Sequence, residues 1–358
     1  MNGIARPEDG VVRHRLELLA LVGCGLLAAA MGMFLVVDWA SDAVPLAAVM
    51  FERYLAAGTW LDGVLGRRLF FSPSVWRALA TGIFIGIAAP LIGVFLIHRQ
   101  MALIGETLAH TAFAGVAAGV VILGVSGWRG NLVVVDLGSR GSLLLVALVV
   151  SALGALGLQW LRTRSRTYGD VPIAIVLAGS FAVGTLLITW GRDRTPITID
   201  VEGFLFGSLA IVTAAGARIV AVLTVVVVFL VGYYYKELLF ITFDEQAATV
   251  ARLPVGRFNT LLIVMTAVVV VGAMQILGVI LVAAMLVVPA AAASQLGRSF
   301  RETVYLAVIA GQVSVLGGMG TSLLAGLPPG GSIVVVAIAI YLLAVFVGGR
   351  RPSGISAY

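Results

Sequence analysis

The sequence predicts an all-α, polytopic membrane protein, and three observations lead to that fold class. Of the 358 residues, 61% are hydrophobic and only 11% are charged, whereas soluble domains carry about 25% charged residues. The mean hydropathy is +1.10. Apolar runs long enough to cross a bilayer recur along the whole chain. No segment has the composition of a soluble enzymatic domain.

About ten apolar segments reach the length of roughly 20 residues that a spanning helix needs. Between the seventh and the eighth predicted spans, Gly272–Gly278 is the only segment that could form a turn, so a single kinked helix is an alternative there. Re-entrant segments are an alternative within 204–235 and 258–296. The predicted spans are 16–38, 75–97, 102–126, 141–161, 171–190, 209–235, 258–274, 276–296, 303–325 and 331–349.

The first apolar run, Leu18–Val37, is predicted to be an uncleaved helix. Arg6, Arg13 and Arg15 precede it, as basic residues precede a signal peptide. However, about twenty apolar residues exceed the roughly 7–15 residues of a signal-peptide core. Cys24 is the single cysteine of the sequence, so no intrachain disulfide can form.

Positive charge is concentrated at the ends of the apolar runs. A formal net charge of +6 would be compatible with nucleic acid, but this distribution instead follows the positive-inside rule, so no nucleic-acid partner is expected. If ten helices alternate, the arginine-rich turns and both termini are cytoplasmic. We therefore expect a multi-pass protein of the plasma membrane, surrounded by lipid.

Three regions are expected along the chain. Residues 1–74 form a tail, the first helix and an outer segment, 75–349 form the membrane core, and 350–358 form a cytoplasmic tail. The outer segment contains an apolar-periodic stretch that resembles a surface helix, formed by Val44, Leu46, Val49, Met50 and Tyr54. The segment 191–203 is also expected outside.

Glu106 and His110, in the stretch GETLAH, are candidate metal ligands. Residues four apart lie on one face of a helix, and a carboxylate with an imidazole suits divalent transition metals. Ionisable groups are costly inside a membrane, which favours a functional role. The alternative is that Glu106 merely pairs with His98 or Arg99. Two ligands are too few, so other helices or waters would have to supply the rest.

The loop after the sixth span, Tyr235–Asn259, is predicted to contain a short helix that docks a cytosolic partner. Asp244 is the predicted N-cap and Pro254 the predicted end, with Ala247, Ala248, Val250 and Ala251 packing on one side. An ordinary solvated loop helix is the alternative. The candidate docking residues are Phe243, Asp244, Glu245, Gln246, Ala247, Ala248 and Ala251.

Two further features are candidates of lower rank. Pro289, in a stretch rich in small residues, is expected to kink or break its helix and free a carbonyl. The kink would either line a translocation path or serve tight packing of neighbouring helices. Asp200 and Glu202 are candidates for attracting cations at an outer entrance, with solvated loop charges as the alternative. The sequence has no G-x-x-x-x-G-K-[ST] motif, so the chain is not expected to bind ATP phosphates itself.

Together these motifs resemble the membrane permease subunit of bacterial and archaeal ABC importers for zinc, manganese or iron(II). GVFLIHRQMALIGETLAHTAFAGVAAG (93–119) is similar to the family pattern of Arg-Arg-Met, Gly-Asp-x-x-x-His and Gly. FLFGSL (204–209), YKELLFITFDEQAA (235–248) and LGVILVAAMLVVPAAAA (277–293) resemble three further family segments. The resemblance extends from about Phe70 to Gly349.

The resemblance implies the fold of a type II ABC importer permease. It implies a homodimer, a separate cytosolic ATPase and an extracytoplasmic metal-binding protein, with no catalytic activity and no permanently bound cofactor in this chain. It places metal passage at Glu106 and His110 and makes Asp244–Ala251 the ATPase-coupling helix. The family acid is usually Asp, so Glu106 leaves the metal preference open. A proton-coupled secondary cation transporter and a type II permease for a metal chelate are the alternatives.

Overall fold

In the computed structural model, the structure describes residues 7–41, 44–65, 70, 72–125, 140–164, 171–192, 205–208 and 212–348. Every long regular element within these ranges is an α-helix. The helices are α1 Pro7–Ala40, α2 Pro45–Leu65, α3 Pro73–His98, α4 Leu103–Val125, α5 Arg140–Arg164, α6 Val171–Arg192, α7 Ala214–Tyr233, α8 Tyr235–Phe243, α9 Glu245–Val250, α10 Val255–Leu277, α11 Val282–Leu296, α12 Phe300–Ala325 and α13 Pro329–Gly348.

The bundle is built around α3. This helix packs against α1, α7, α10, α11 and α12, and 89% of its most apolar window is buried. At the periphery, α5 and α6 have only 22% and 17% of theirs buried, as expected for helices that face lipid. Helix α4 lies between α5, α6 and α10. The all-α polytopic fold predicted from composition is confirmed.

Nine of the described helices are long and apolar enough to span a membrane, and α11, with 15 residues, is a shorter apolar helix. The predicted sixth span, 209–235, starts five residues too early, since α7 begins at Ala214 and residues 205–208 lie apart from it. The turn predicted within Gly272–Gly278 is present at its last residue, because α10 continues to Leu277, three residues beyond the predicted end at 274, and ends at Gly278.

The chain breaks after α10 at Gly278. Its φ of 75° lies in the left-handed region, which costs glycine little and other residues more. Leu205 approaches this break from the preceding segment, and its carbonyl accepts a bond from the Ile280 amide at 3.4 Å. A backbone break is tolerated at membrane depth only where protein covers it, and residues 205–208 supply part of that cover.

Helices α1 and α2 pack against the start of α3. Phe34 packs against Phe51, Tyr54 and Trp76, with ring centroids 5.5–6.0 Å apart. The Phe70 amide donates to the Asp62 carboxylate at 2.7 Å, which supports the turn into α3. In the apolar stretch predicted to form a surface helix, Tyr54 packs against the hydrophobic core. The side chains of Val44, Leu46 and Val49 are exposed.

Candidate functional site

Glu106 and His110 lie in the first two turns of α4, directly after a tight turn from α3. The Met101 amide donates to the Leu96 carbonyl at 2.8 Å and the Gln100 amide to the Ile97 carbonyl at 2.9 Å. These two bonds, with Gln100 at a φ of 54°, form a Schellman motif. We call residues 99–102 the α3–α4 turn. It fixes where α4 begins, and therefore where Glu106 lies.

The two candidate ligands are incompletely satisfied within the chain. Glu106 is exposed and His110 is partly buried. The Nδ1 atom of His110 is buried and has no hydrogen-bond partner in the described structure. An unpartnered buried nitrogen is costly, so the imidazole is kept at an energetic disadvantage that an additional ligand could relieve.

An aromatic wall orients the imidazole. Phe181 of α6 contacts His110 edge to face, with centroids 5.1 Å apart, and stacks on Phe113 at 6.0 Å. Thr111 shares a hydrogen bond with Ser180 at 3.1 Å. Sequence reasoning missed this wall, because nothing in the sequence indicates which face of α6 meets α4.

The neighbouring threonines do not extend the ligand set. The Thr107 hydroxyl donates to the Leu103 carbonyl at 3.0 Å, and the Thr111 hydroxyl donates to the Thr107 carbonyl at 2.8 Å. In the part of the chain that the structure describes, no group of three or more His, Cys, Asp or Glu residues could hold a metal ion. Among the described residues, the chain therefore offers two candidate metal ligands here, Glu106 and His110.

The alternative role for Glu106, an ion pair with Arg99 or His98, is not observed. Arg99 Nη2 donates to Asn259 Oδ1 at 2.6 Å and lies 3.7 Å from Glu245 Oε2. His98 Nδ1 lies 2.8 Å from the Val94 carbonyl oxygen, within its own helix. Both basic residues thus have partners other than Glu106.

The predicted loop helix is present as α9. Asp244 is its N-cap, as predicted, and its Oδ1 accepts from the Ala247 amide at 2.8 Å. The end differs from the prediction, since the chain leaves α9 through Arg252 at a φ of 61°. Pro254 instead precedes α10 as its N-cap.

The predicted packing side of α9 is right for Ala247, which is partly buried, and Ala248, and wrong for Val250 and Ala251. Ala248 is buried, but Val250 is 84% exposed, and Ala251 is exposed as well. Phe243, just before the helix, is 65% exposed, and Asp244, Glu245 and Gln246 are also exposed. The helix therefore rests on the bundle through Ala248, the partly buried Ala247 and the side chain of Glu245, and presents its other residues outward.

Arg99 connects α9 to the α3–α4 turn. Its side chain is 4% exposed, whereas that of Glu245 is 55% exposed. Asn259 of α10 completes the contact, because its Nδ2 donates to Glu245 Oε1 at 3.2 Å. Burial lowers the pKa of Arg99, the Glu245 carboxylate opposes this effect, and the nearby Arg162 adds to it. This cluster could not be predicted from the sequence, because Arg99 and Asn259 are 160 residues apart.

The remaining predicted site residues have other outcomes. Pro289 is buried and helix α11 continues through it, so the chain does not break there, and the kink that was the other expected outcome stays a prediction. The interruption lies at Gly278, the last residue of the predicted turn Gly272–Gly278, where the positive φ ends α10. Neighbouring helices that rebury the freed carbonyl allow proline inside a membrane helix. Asp200 and Glu202 lie outside the described residues.

A family model described as the ABC 3 transport family matches residues 72–348. The manganese transport system membrane protein MntC of Listeria monocytogenes is 31% identical over 268 residues, which cover 75% of this chain and 88% of the relative. The high-affinity zinc uptake system membrane protein ZnuB of Haemophilus influenzae is 24% identical over 272 residues, which cover 76% and 97%.

A solved structure has a similar fold. PsaBC from Streptococcus pneumoniae in complex with Fab superposes with a TM-score of 0.65 and 28% sequence identity, covering 78% of this chain and 93% of that chain. Helices α1 and α2 precede the region that the family model matches.

Proposed function

We propose that this chain, which belongs to the ABC 3 transport family, is the permease subunit of an importer that moves a divalent metal ion into the cytoplasm. Membership follows from the match over residues 72–348 and confirms the resemblance predicted from sequence. The chain is a non-catalytic membrane permease. A proton-coupled secondary transporter is not supported, since an ABC family model covers the whole core.

The observation that carries the proposal is the pair of available metal ligands on α4. Glu106 is exposed and His110 Nδ1 is buried without a partner. A carboxylate oxygen and an imidazole nitrogen are ligands for manganese, zinc and iron(II) alike. Names of the relatives support manganese and zinc as the first two candidates. Binding is expected to be weak, because a conduit must release its cargo.

A second copy of the chain would complete the site. With two donors per copy, a four-coordinate metal needs donors from elsewhere. A twofold axis close to the exposed Glu106 would bring two Glu106–His110 pairs together. We therefore propose a homodimer whose subunits share the transported ion.

Two kinds of partner would complete the importer. ATP hydrolysis belongs to a cytosolic ATPase, which would dock on α9, with its exposed Val250, and on the exposed Phe243 at the end of α8. An extracytoplasmic metal-binding protein would deliver the ion to the opposite end of the bundle. Asp200 and Glu202 are proposed to attract the cation there.

The test is metal uptake into proteoliposomes that contain the permease with its cognate ATPase and binding protein. Manganese and zinc are supplied separately. Glu106→Gln and His110→Gln are each expected to lower the uptake rate by ~10–100-fold or more. Loss of a residue that only supports a metal ligand already costs that much. Glu52→Gln, at an exposed carboxylate of α2, is the matched control and should transport normally.

Complex assembly is measured in parallel by size-exclusion chromatography. Uptake at the wild-type rate by the Glu106→Gln, His110→Gln double variant would exclude a role for this pair. Equal loss in the Glu52→Gln control would show that removal of any carboxylate damages the complex.

A further inference from the structure

The bridge between α9 and the α3–α4 turn joins two parts of the molecule that the proposed function requires to move together. Arg99 Nη2 is 2.6 Å from Asn259 Oδ1 and 3.7 Å from Glu245 Oε2, while Asn259 Nδ2 is 3.2 Å from Glu245 Oε1. We call these three residues the Arg99 bridge. Its members come from the α3–α4 turn, α10 and α9 respectively.

The bridge is asymmetric in exposure. The Arg99 side chain is 4% exposed and the Glu245 side chain is 55% exposed. Removing the partner of a buried charge is far more costly than breaking an exposed ion pair. When α9 shifts, the buried guanidinium of Arg99 keeps its counter-charge only by following Glu245, because its other partner, Asn259, is neutral.

The α3–α4 turn is stiff enough to pass that displacement on. Its Schellman bonds, from Gln100 and Met101 to α3, leave little local freedom. Two further amide bonds, from Ile104 to the Met101 carbonyl and from Gly105 to the Ala102 carbonyl, run directly into α4. Glu106 is the next residue, so movement of Arg99 is carried to it within two helical turns.

A second contact ties the same two regions together. Phe243, which precedes α9, contacts His98 and Phe300, with ring centroids 6.3 and 5.6 Å apart. His98 in turn contacts Phe300 at 5.2 Å. This aromatic cluster flanks the Arg99 bridge and resists sliding of α9 away from the end of α3.

We propose that Arg99 is a positioning residue that transmits the movement of the coupling helix α9 to Glu106, through Glu245 and Asn259. The inference rests on the proposed function and adds the path by which ATP hydrolysis in a partner reaches the metal pair. Loss of the bridge would change the amount of metal moved per ATP hydrolysed and would leave the two metal ligands, Glu106 and His110, in place.

The test measures metal uptake and ATP hydrolysis in the same proteoliposomes and takes their ratio. Arg99→Met keeps the length of the side chain but removes its charge and donors. Glu245→Gln removes the charge from the exposed end, where folding is least at risk. Both are expected to lower metal moved per ATP by at least ~5-fold, the lower end of typical coupling between sites. Arg301→Met, at an exposed arginine of α12, is the control and should leave the ratio unchanged.

A double-variant comparison separates the bridge from contacts that Glu245 makes with the ATPase. If Glu245 acts through Arg99, Glu245→Gln has no further effect in the Arg99→Met background. Additive effects would overturn the proposal. An unchanged ratio in Glu245→Gln would also overturn it, as would a parallel fall of uptake and hydrolysis together with a lower Tm, which indicates a merely structural role.

The failure of the proposed function has a different signature. A wild-type complex that hydrolyses ATP but moves neither manganese nor zinc would refute metal import, whatever the variants do. If Arg99→Met does not assemble, the Glu245→Gln ratio decides the role of the bridge.

Discussion

The carboxylate of Asp38 forms a bidentate ion pair with the guanidinium of Arg77. Arg77 Nη2 lies 2.7 Å from Asp38 Oδ1, and Arg77 Nε lies 3.0 Å from Asp38 Oδ2. The Asp38 side chain is 2% exposed and that of Arg77 is 27% exposed. The pair joins the end of α1 to the first turn of α3, so the N-terminal helices are an integral part of the bundle.

Asp38→Ala is expected to destabilise the purified permease by roughly 3 kcal/mol, because it leaves Arg77 largely buried without a counter-charge. The measurement is thermal unfolding in detergent. The double variant Asp38→Ala, Arg77→Met should recover much of the loss, since no buried charge then remains. A double variant less stable than Asp38→Ala alone would contradict this explanation.

Gly93→Ala is expected to weaken packing between α3 and α11. A β-carbon at Gly93 would overlap the backbone carbonyl of Leu286, which cannot move aside as a flexible side chain can. We expect a loss of about 1–3 kcal/mol, typical of overpacking, measured as a lower Tm. Gly179→Ala in α6, where nothing lies within 4 Å, is the control and should be neutral or stabilising by about 0.5–1 kcal/mol. Equal effects of both variants would argue against close helix contact at Gly93.

Asp244→Ala is expected to weaken α9, because it removes the bond from the Ala247 amide to Asp244 Oδ1. Loss of an N-cap costs about 1 kcal/mol, which corresponds to about a fivefold weaker ATPase affinity if the helix must be formed for docking. Binding of the ATPase to the permease in nanodiscs measures this. Asp244→Asn, which retains a capping oxygen, should bind almost as well as wild type. If Asn binds as poorly as Ala, the carboxylate contacts the ATPase directly.

Phe181→Ala is expected to free the imidazole of His110 from its edge contact. The ring then samples more orientations, so uptake should fall at low metal concentration and partly recover at saturating metal, which raises KM more than it lowers kcat. Initial uptake rates across a range of metal concentrations test this. Phe346→Ala, at a phenylalanine 71% exposed on α13, is the control. A fall in kcat alone would assign Phe181 to a step other than metal capture.

The sequence by itself determined the class of protein and most of its spans. Burying about 20 apolar residues in lipid is a local property, so Pro73–His98 and Val171–Arg192 could be found by counting. The pair Glu106 and His110 was found in the same way, since spacing within one helix fixes which residues share a face. The Asp244 cap was equally local, and it is present as predicted.

Tertiary structure decided what depends on distant parts of the chain. The turn after the seventh predicted span could be located only within Gly272–Gly278, and the folded chain placed it at Gly278, where φ is positive and residues 205–208 cover the break. Arg99 could be noted as a charge at a helix end, but its partners Asn259 and Glu245 follow from how α9 and α10 pack against the α3–α4 turn. Hydropathy sums the transfer free energies of single residues, whereas ion pairs and helix contacts depend on pairs of residues, so only the folded chain specifies them.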